Sequence, residues 1–160
     1  MLHVDIAENF ELHREKWNID LLVADNKQVL VIENKVMSHV NGLWFDRSAD
    51  QEQSQLKKYF DIVTGNENRF NPEKEYRNLK PHFYIFAPNH SNIDKDKYEK
   101  GDCYEMIHYS QIRDFLRKEY KSDAFVYQLI LALEPHCENS YDFYSEMKHT
   151  FLQQCKLKKK

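Results

Sequence analysis

Trp17-Asn18-Ile19-Asp20-Leu21-Leu22-Val23 leads into the turn Ala24-Asp25-Asn26-Lys27 and returns as Gln28-Val29-Leu30-Val31-Ile32-Glu33-Asn34-Lys35, and this stretch decides the fold. Two apolar runs around a turn signal predict a β-hairpin. Its ends carry Asp20, Glu33 and Lys35, residue types that strands rarely hold without a reason. Turn signals at Asp25-Asn26 set Ala24 opposite Lys27. Counting back, Asp20 falls opposite Val31 and Asn18 opposite Glu33. Asp20 and Glu33 are then diagonal neighbours on one face, roughly 5–8 Å apart, and Lys35 joins that face. A one-residue slip would turn Asp20 to the other side.

Two carboxylates beside an amine suit a hard divalent cation with a charge next to it. Asp20 and Glu33 are the candidate ligands, with the backbone carbonyl of Asn34 as a further one. Oxygen donors favour Mg²⁺ or Mn²⁺ over zinc. An ion held there would neutralise charge growing on phosphoryl oxygens and lower the pKa of a water. Lys35 would orient the attacking water or stabilise the transition state by charge. The same residues also permit an ordinary cross-strand ion pair, Asp20 with Lys35, on a solvated sheet face.

Outward from the hairpin, Leu2 to Arg14 alternates loosely and reads as a strand. Val36 to Asp50 reads as a loop. Gln51 to Val63 reads as a helix, with Leu56, Tyr59, Phe60 and Val63 on its buried face and Gly65 as its stop. His82 to Ala87 is a short apolar run closed by Pro88, which suits a strand buried on both faces. Cys103 to His108 is a weaker strand. Ser110 and Ser122 are candidate caps for two helices, the second ended by Pro135, and a last helix is expected from about Ser140. Strands, a helix, another strand and then helices predict a mixed α/β sheet flanked by helices.

The chain has 160 residues, which suggests one domain over 1–160, with a core over about 2–118 and a helical part over about 122–156. Net charge is −3, so a global basic signature of nucleic-acid binding is absent, although a local groove would serve. Lys57 and Lys58 are candidates to touch a phosphate backbone, against the plainer reading of a solvated helix face. Cys103, Cys137 and Cys155 are widely spaced and odd in number, which argues against a disulfide framework and for a reducing, cytoplasmic setting. No run is long enough to span a membrane. The apolar residues between Phe125 and Leu152 could form a stripe for self-association. The eight histidines are scattered without zinc-site spacing, and three glycines supply no phosphate-binding loop.

Ile19-Asp20, Val31-Ile32-Glu33-Asn34-Lys35 and Gln55-Leu56-x-x-Tyr59 together resemble the PD-(D/E)xK nuclease superfamily, and most closely its bacterial branch written ID…IENK…QLxxY. Arg14-Glu15 and Trp17 resemble that branch's approach to its first motif. The resemblance runs from about residue 13 to the strand at His82–Ala87 and extends more loosely into the C-terminal helices. It implies a restriction-endonuclease-like core. It implies Asp20 and Glu33 as metal ligands, Lys35 as the catalytic lysine, and Gln55 reaching toward the site. Tyr59 follows one turn later on the same flank, as a substrate-binding residue or as a core contact. Members usually begin with a helix before the first strand. This chain starts directly at that strand, and its loop between Lys35 and Gln55 is longer than usual. The expectation is an Mg²⁺- or Mn²⁺-dependent endo- or exodeoxyribonuclease acting on DNA. The alternative is a degenerate, non-catalytic module that binds nucleic acid or protein.

Overall fold

The computed structural model describes residues 4–35, 43–46, 51–65, 76, 78–120 and 122–137. The expected helix from Ser140 lies outside them. The chain divides into two compact units, Met1–Ala87 with Asn92–Ile107, and Pro88–Ser91 with His108–Lys160.

The first unit is built on a five-stranded sheet. Its strands are β1 (Glu11–Arg14), β2 (Leu21–Ala24), β3 (Gln28–Asn34), β6 (Lys80–Ala87) and β7 (Tyr104–His108), in the spatial order β1-β2-β3-β6-β7. β1, β2 and β3 pair antiparallel, and β3 pairs parallel with β6, so the sheet is mixed. β3 is central, and its run Val29-Leu30-Val31-Ile32 is buried on both faces, as a central strand of branched residues should be.

Two further strands, β4 (Leu43–Asp46) and β5 (Gln51–Ser54), form a separate antiparallel ladder. Part of the expected loop is therefore strand, and the helix α1 (Gln55–Thr64) begins four residues later than its periodicity suggested. Ser54 sets that boundary, because its hydroxyl accepts from the Lys57 amide as an N-cap. Gly65 ends the helix in the left-handed region, φ 74°, as the stop signal predicted. Leu56, Tyr59, Ile62 and Val63 of α1 join Leu22, Val29, Val31, Phe83 and Ile85 of the sheet in one core.

The hairpin register differs from the expected one by two residues. Ala24 pairs with Val29 and Leu21 with Ile32. The cause is Asp25, whose Oδ1 accepts from the amides of Lys27 and Gln28 at 2.7 and 2.8 Å and widens the turn to Asp25–Gln28. A shift of two preserves the face of every side chain. Asp20, Leu22 and Ala24, and likewise Val29, Val31, Glu33 and Lys35, share the face that α1 covers. β1 is shorter than expected, four residues from Glu11.

The second unit contains α2 (Tyr109–Glu119) and α3 (Ala124–Leu133). Their caps are His108 and Asp123, not Ser110 and Ser122. His108 forms a reciprocal box with Gln111, and Asp123 accepts from the amides of Phe125 and Val126. The Ser110 hydroxyl is instead bonded to Asn89 at 2.7 Å. Pro135 sits in a 3-10 turn, Glu134–His136, that follows α3. On α3, Phe125, Tyr127, Leu129 and Leu131 are exposed. No helix among the described residues is long and apolar enough to cross a membrane.

Candidate active site

The β2–β3 ladder ends at the pair Leu21–Ile32, with Asp20 just before it on one strand and Glu33 just after it on the other. The register shift changes the expected diagonal relation, and the two carboxylates lie close enough for the charge on Asp20 to act on Glu33. Asp20 Oδ2 accepts the Asn34 backbone N–H at 2.7 Å, which fixes that carboxylate against the end of β3. Glu33 is 2% exposed. Its Oε1 lies 2.5 Å from Lys35 Nζ, while its buried Oε2 meets no hydrogen-bond partner among the described residues. Burial pushes the Glu33 carboxyl above its ordinary value, Lys35 draws it down, and the charge on Asp20 raises it again.

Lys35 is buried too, and its partner is Glu33 rather than Asp20. The solvated Asp20–Lys35 pair is therefore not formed. Lys35 Nζ also donates to Gln55 Oε1 at 2.9 Å. Gln55 is the first residue of α1, which places its amide over the strand ends. Its Nε2 donates to the Tyr59 hydroxyl at 2.8 Å, and that hydroxyl donates to the Asn18 carbonyl. Tyr59 is 1% exposed, so its ring offers no surface to a substrate. Burial, with the nearby Glu33 charge, pushes its pKa up to about 12, and it stays a proton donor at any ordinary pH.

Two expected phosphate contacts are placed differently from a solvated helix face. Lys58 is buried, with its ammonium 5.9 Å from the centre of the Tyr59 ring. Lys57 is partly buried and paired with the buried Asp61 one turn along α1. Asn34, the third expected metal ligand, is exposed at the end of β3. Glu11, one of the acids near the first strand, bonds to His13 at 3.2 Å and accepts from the Tyr76 hydroxyl at 3.4 Å.

No local sequence pattern marks the loop that delivers Asp20. Glu15, Trp17 and Asn18 all take left-handed conformations, φ 57°, 58° and 65°. Such conformations are costly outside glycine and cluster at functional sites. Asn18 tolerates this region and could have served as a signal, whereas nothing marks Trp17. The loop closes through Asn18 N–H to the Glu15 carbonyl at 3.1 Å and Ile19 N–H to the Lys16 carbonyl at 3.0 Å.

The donor set suits a hard cation. Two carboxylates, one with a buried oxygen that has no partner among the described residues, leave a position that a positive ion would satisfy. Magnesium is commonly held by one or two carboxylates with water completing its shell. Among the described residues there is no group of three or more His, Cys, Asp or Glu that could hold a metal ion.

A mixed sheet whose neighbouring strands bring two carboxylates and a lysine together, beneath a helix that adds a glutamine, defines a nuclease-fold protein. A family model described as the PD-(D/E)XK nuclease superfamily matches residues 3–131, and the chain belongs to that superfamily. No curated protein and no solved structure matches it.

Proposed function

We propose that the chain is a divalent-metal-dependent nuclease that hydrolyses phosphodiester bonds in DNA. The observation that carries this reading is the buried Glu33 Oε2, without a partner among the described residues, with Asp20 near it and Lys35 Nζ 2.5 Å from the other oxygen of Glu33. Asp20 and Glu33 would hold Mg²⁺ or Mn²⁺, with the Asn34 carbonyl as a further ligand. When bound, such an ion supplies positive charge to phosphoryl oxygens and acidifies a water.

The chain's own residues supply the rest. Lys35 carries a positive charge at the ligand edge and would stabilise the negative charge of the transition state or orient the attacking water. Gln55 holds that ammonium from above, so its position is set before substrate arrives. Lys58 is buried and Lys57 is paired with Asp61, so neither is assigned a phosphate contact. The widely spaced cysteines support a cytoplasmic setting.

The test is a cleavage assay on linear and circular DNA with Mg²⁺ and with Mn²⁺, comparing the native chain with Glu33→Ala and Lys35→Ala. The expected outcome is metal-dependent cutting that both substitutions abolish. Absence of cutting, or cutting that survives in both variants, would reject the reading in favour of a non-catalytic nuclease-fold module.

A further inference from the structure

We infer that Tyr59 is a positioning residue that ties the two halves of the site together: its hydroxyl holds the loop that delivers Asp20 and, at the same time, the Gln55 amide that holds Lys35. This inference rests on the reading of Asp20 and Glu33 as metal ligands, and it moves Tyr59 from substrate contact to internal support.

Three observations carry it. Tyr59 is 1% exposed, so it acts on other protein groups. Its hydroxyl has one proton to give and gives it to the Asn18 carbonyl. Its oxygen accepts from Gln55 Nε2 at 2.8 Å, which leaves Gln55 Oε1 to receive Lys35 Nζ at 2.9 Å. One phenol therefore sets the orientation of an amide and anchors a backbone.

The anchored backbone needs support. Glu15, Trp17 and Asn18 occupy the left-handed region around a 3-10 turn, and L-residues there persist only when their surroundings over-determine them. Within the loop, the bond from the Glu15 amide to the Asp20 carbonyl is long, 3.4 Å. The Tyr59 bond reaches Asn18 two residues before Asp20 and joins the loop to α1. Without it the loop can relax, and the Asp20 carboxylate loses its fixed place near Glu33. A divalent ion needs both carboxylates placed together, so loss of the clamp should appear as loss of metal affinity.

The test is a Mn²⁺ titration of the full chain by electron paramagnetic resonance, which counts free ion and needs no catalysis. Tyr59→Phe keeps the ring and removes the hydroxyl. Tyr104→Phe is the matched control, because its buried phenol also donates to a backbone carbonyl in the same core, that of Leu56 on α1 at 3.0 Å, rather than to the Asp20 loop. Glu33→Gln reports on the site itself. The expected result is native binding, loss of it in Glu33→Gln, at least about tenfold weaker binding in Tyr59→Phe, and native affinity in Tyr104→Phe. Native affinity in Tyr59→Phe overturns the inference and leaves the site intact. Equal weakening in the two phenylalanine variants also overturns it, since general loosening of the core would then explain both. No binding by the native chain, or binding that Glu33→Gln leaves unchanged, rejects the metal site and the inference with it.

Discussion

Lys35 Nζ and Glu33 Oε1 stand 2.5 Å apart in a pair whose side chains keep only 6% and 3% of their exposure. Removing one partner of such a pair strands the other charge in a dry site. Lys35→Met should therefore destabilise the protein by roughly 3–5 kcal/mol at neutral pH. At about 2–4 °C per kcal/mol for a chain of this size, the melting temperature should fall by roughly 6–20 °C. A thermal melt in metal-free buffer checks this, and an unchanged midpoint would contradict it. Adding Glu33→Gln to Lys35→Met should recover part of the loss, because the stranded carboxylate is then neutral.

Glu33 also sets a pH dependence. Burial raises its pKa above 4.5 more than Lys35 lowers it. A carboxyl raised in the folded state contributes stability that is full below the unfolded pKa and is lost as pH rises through the folded pKa. The metal-free native chain should lose stability over that interval, and Glu33→Gln should lack this component. Metal works in the opposite sense, because the carboxylate must be ionised to hold it. The rise in melting temperature given by Mn²⁺ should grow with pH across the same interval. Melts between about pH 4 and 8, with and without Mn²⁺, provide the comparison. A Mn²⁺ effect of equal size throughout would count against Glu33 as ligand.

How much of this was legible depends on which force sets each feature. The apolar runs of β2, β3 and β6 and the helical spacing of Leu56, Tyr59 and Val63 were legible because burial itself writes the pattern. The site face was legible because an error of two in register preserves parity. The register itself was not, because the Asp25 carboxylate chooses a wider turn than the Asp-Asn signal alone suggests. β5 is hidden for a different reason: Gln51-Glu52-Gln53-Ser54 is polar and lacks strand alternation, and Ser54 is the cap of α1 rather than part of the helix. The bond from Tyr59 to Asn18 joins residues far apart in sequence, and no local pattern encodes it.

Asp25 should govern the acid side of stability. Backbone N–H bonds from Ala7, Lys27 and Gln28 hold its carboxyl down at about 2. A depressed carboxyl contributes stability that is present above the unfolded pKa and is lost as pH falls through the folded one. The native chain should therefore weaken as pH drops from about 4 toward 2, and Asp25→Asn should flatten that part of the acid limb. The same substitution should loosen residues around Ala7, whose N–H bonds to Asp25 Oδ2 at 3.0 Å. Acid titration followed by circular dichroism, with amide exchange at Ala7, checks both. Identical acid limbs in the two proteins would show that the turn does not depend on this carboxylate.

Gly101 offers a test of how tightly the segment before β7 is packed. A Cβ there would lie 1.8 Å from the carbonyl oxygen of Lys95 and 2.6 Å from its carbon, and backbone atoms cannot swing aside as a side chain can. The segment is tied on several sides. Lys95 Nζ donates to the Gly101 carbonyl at 3.2 Å, Ser54 Oγ donates to the Glu99 carbonyl at 2.8 Å, and Lys100 Nζ sits 4.8 Å from the centre of the Phe60 ring. Gly101→Ala must push this segment outward, at a cost of roughly 1–3 kcal/mol, or about 2–12 °C in melting temperature. Because Ser54 also caps α1 directly before Gln55, the displacement should reach the helix start. Amide exchange at Lys57, whose N–H bonds to Ser54 at 3.1 Å, should then quicken in Gly101→Ala, whereas unchanged exchange with a lowered melting temperature would confine the strain to the segment itself.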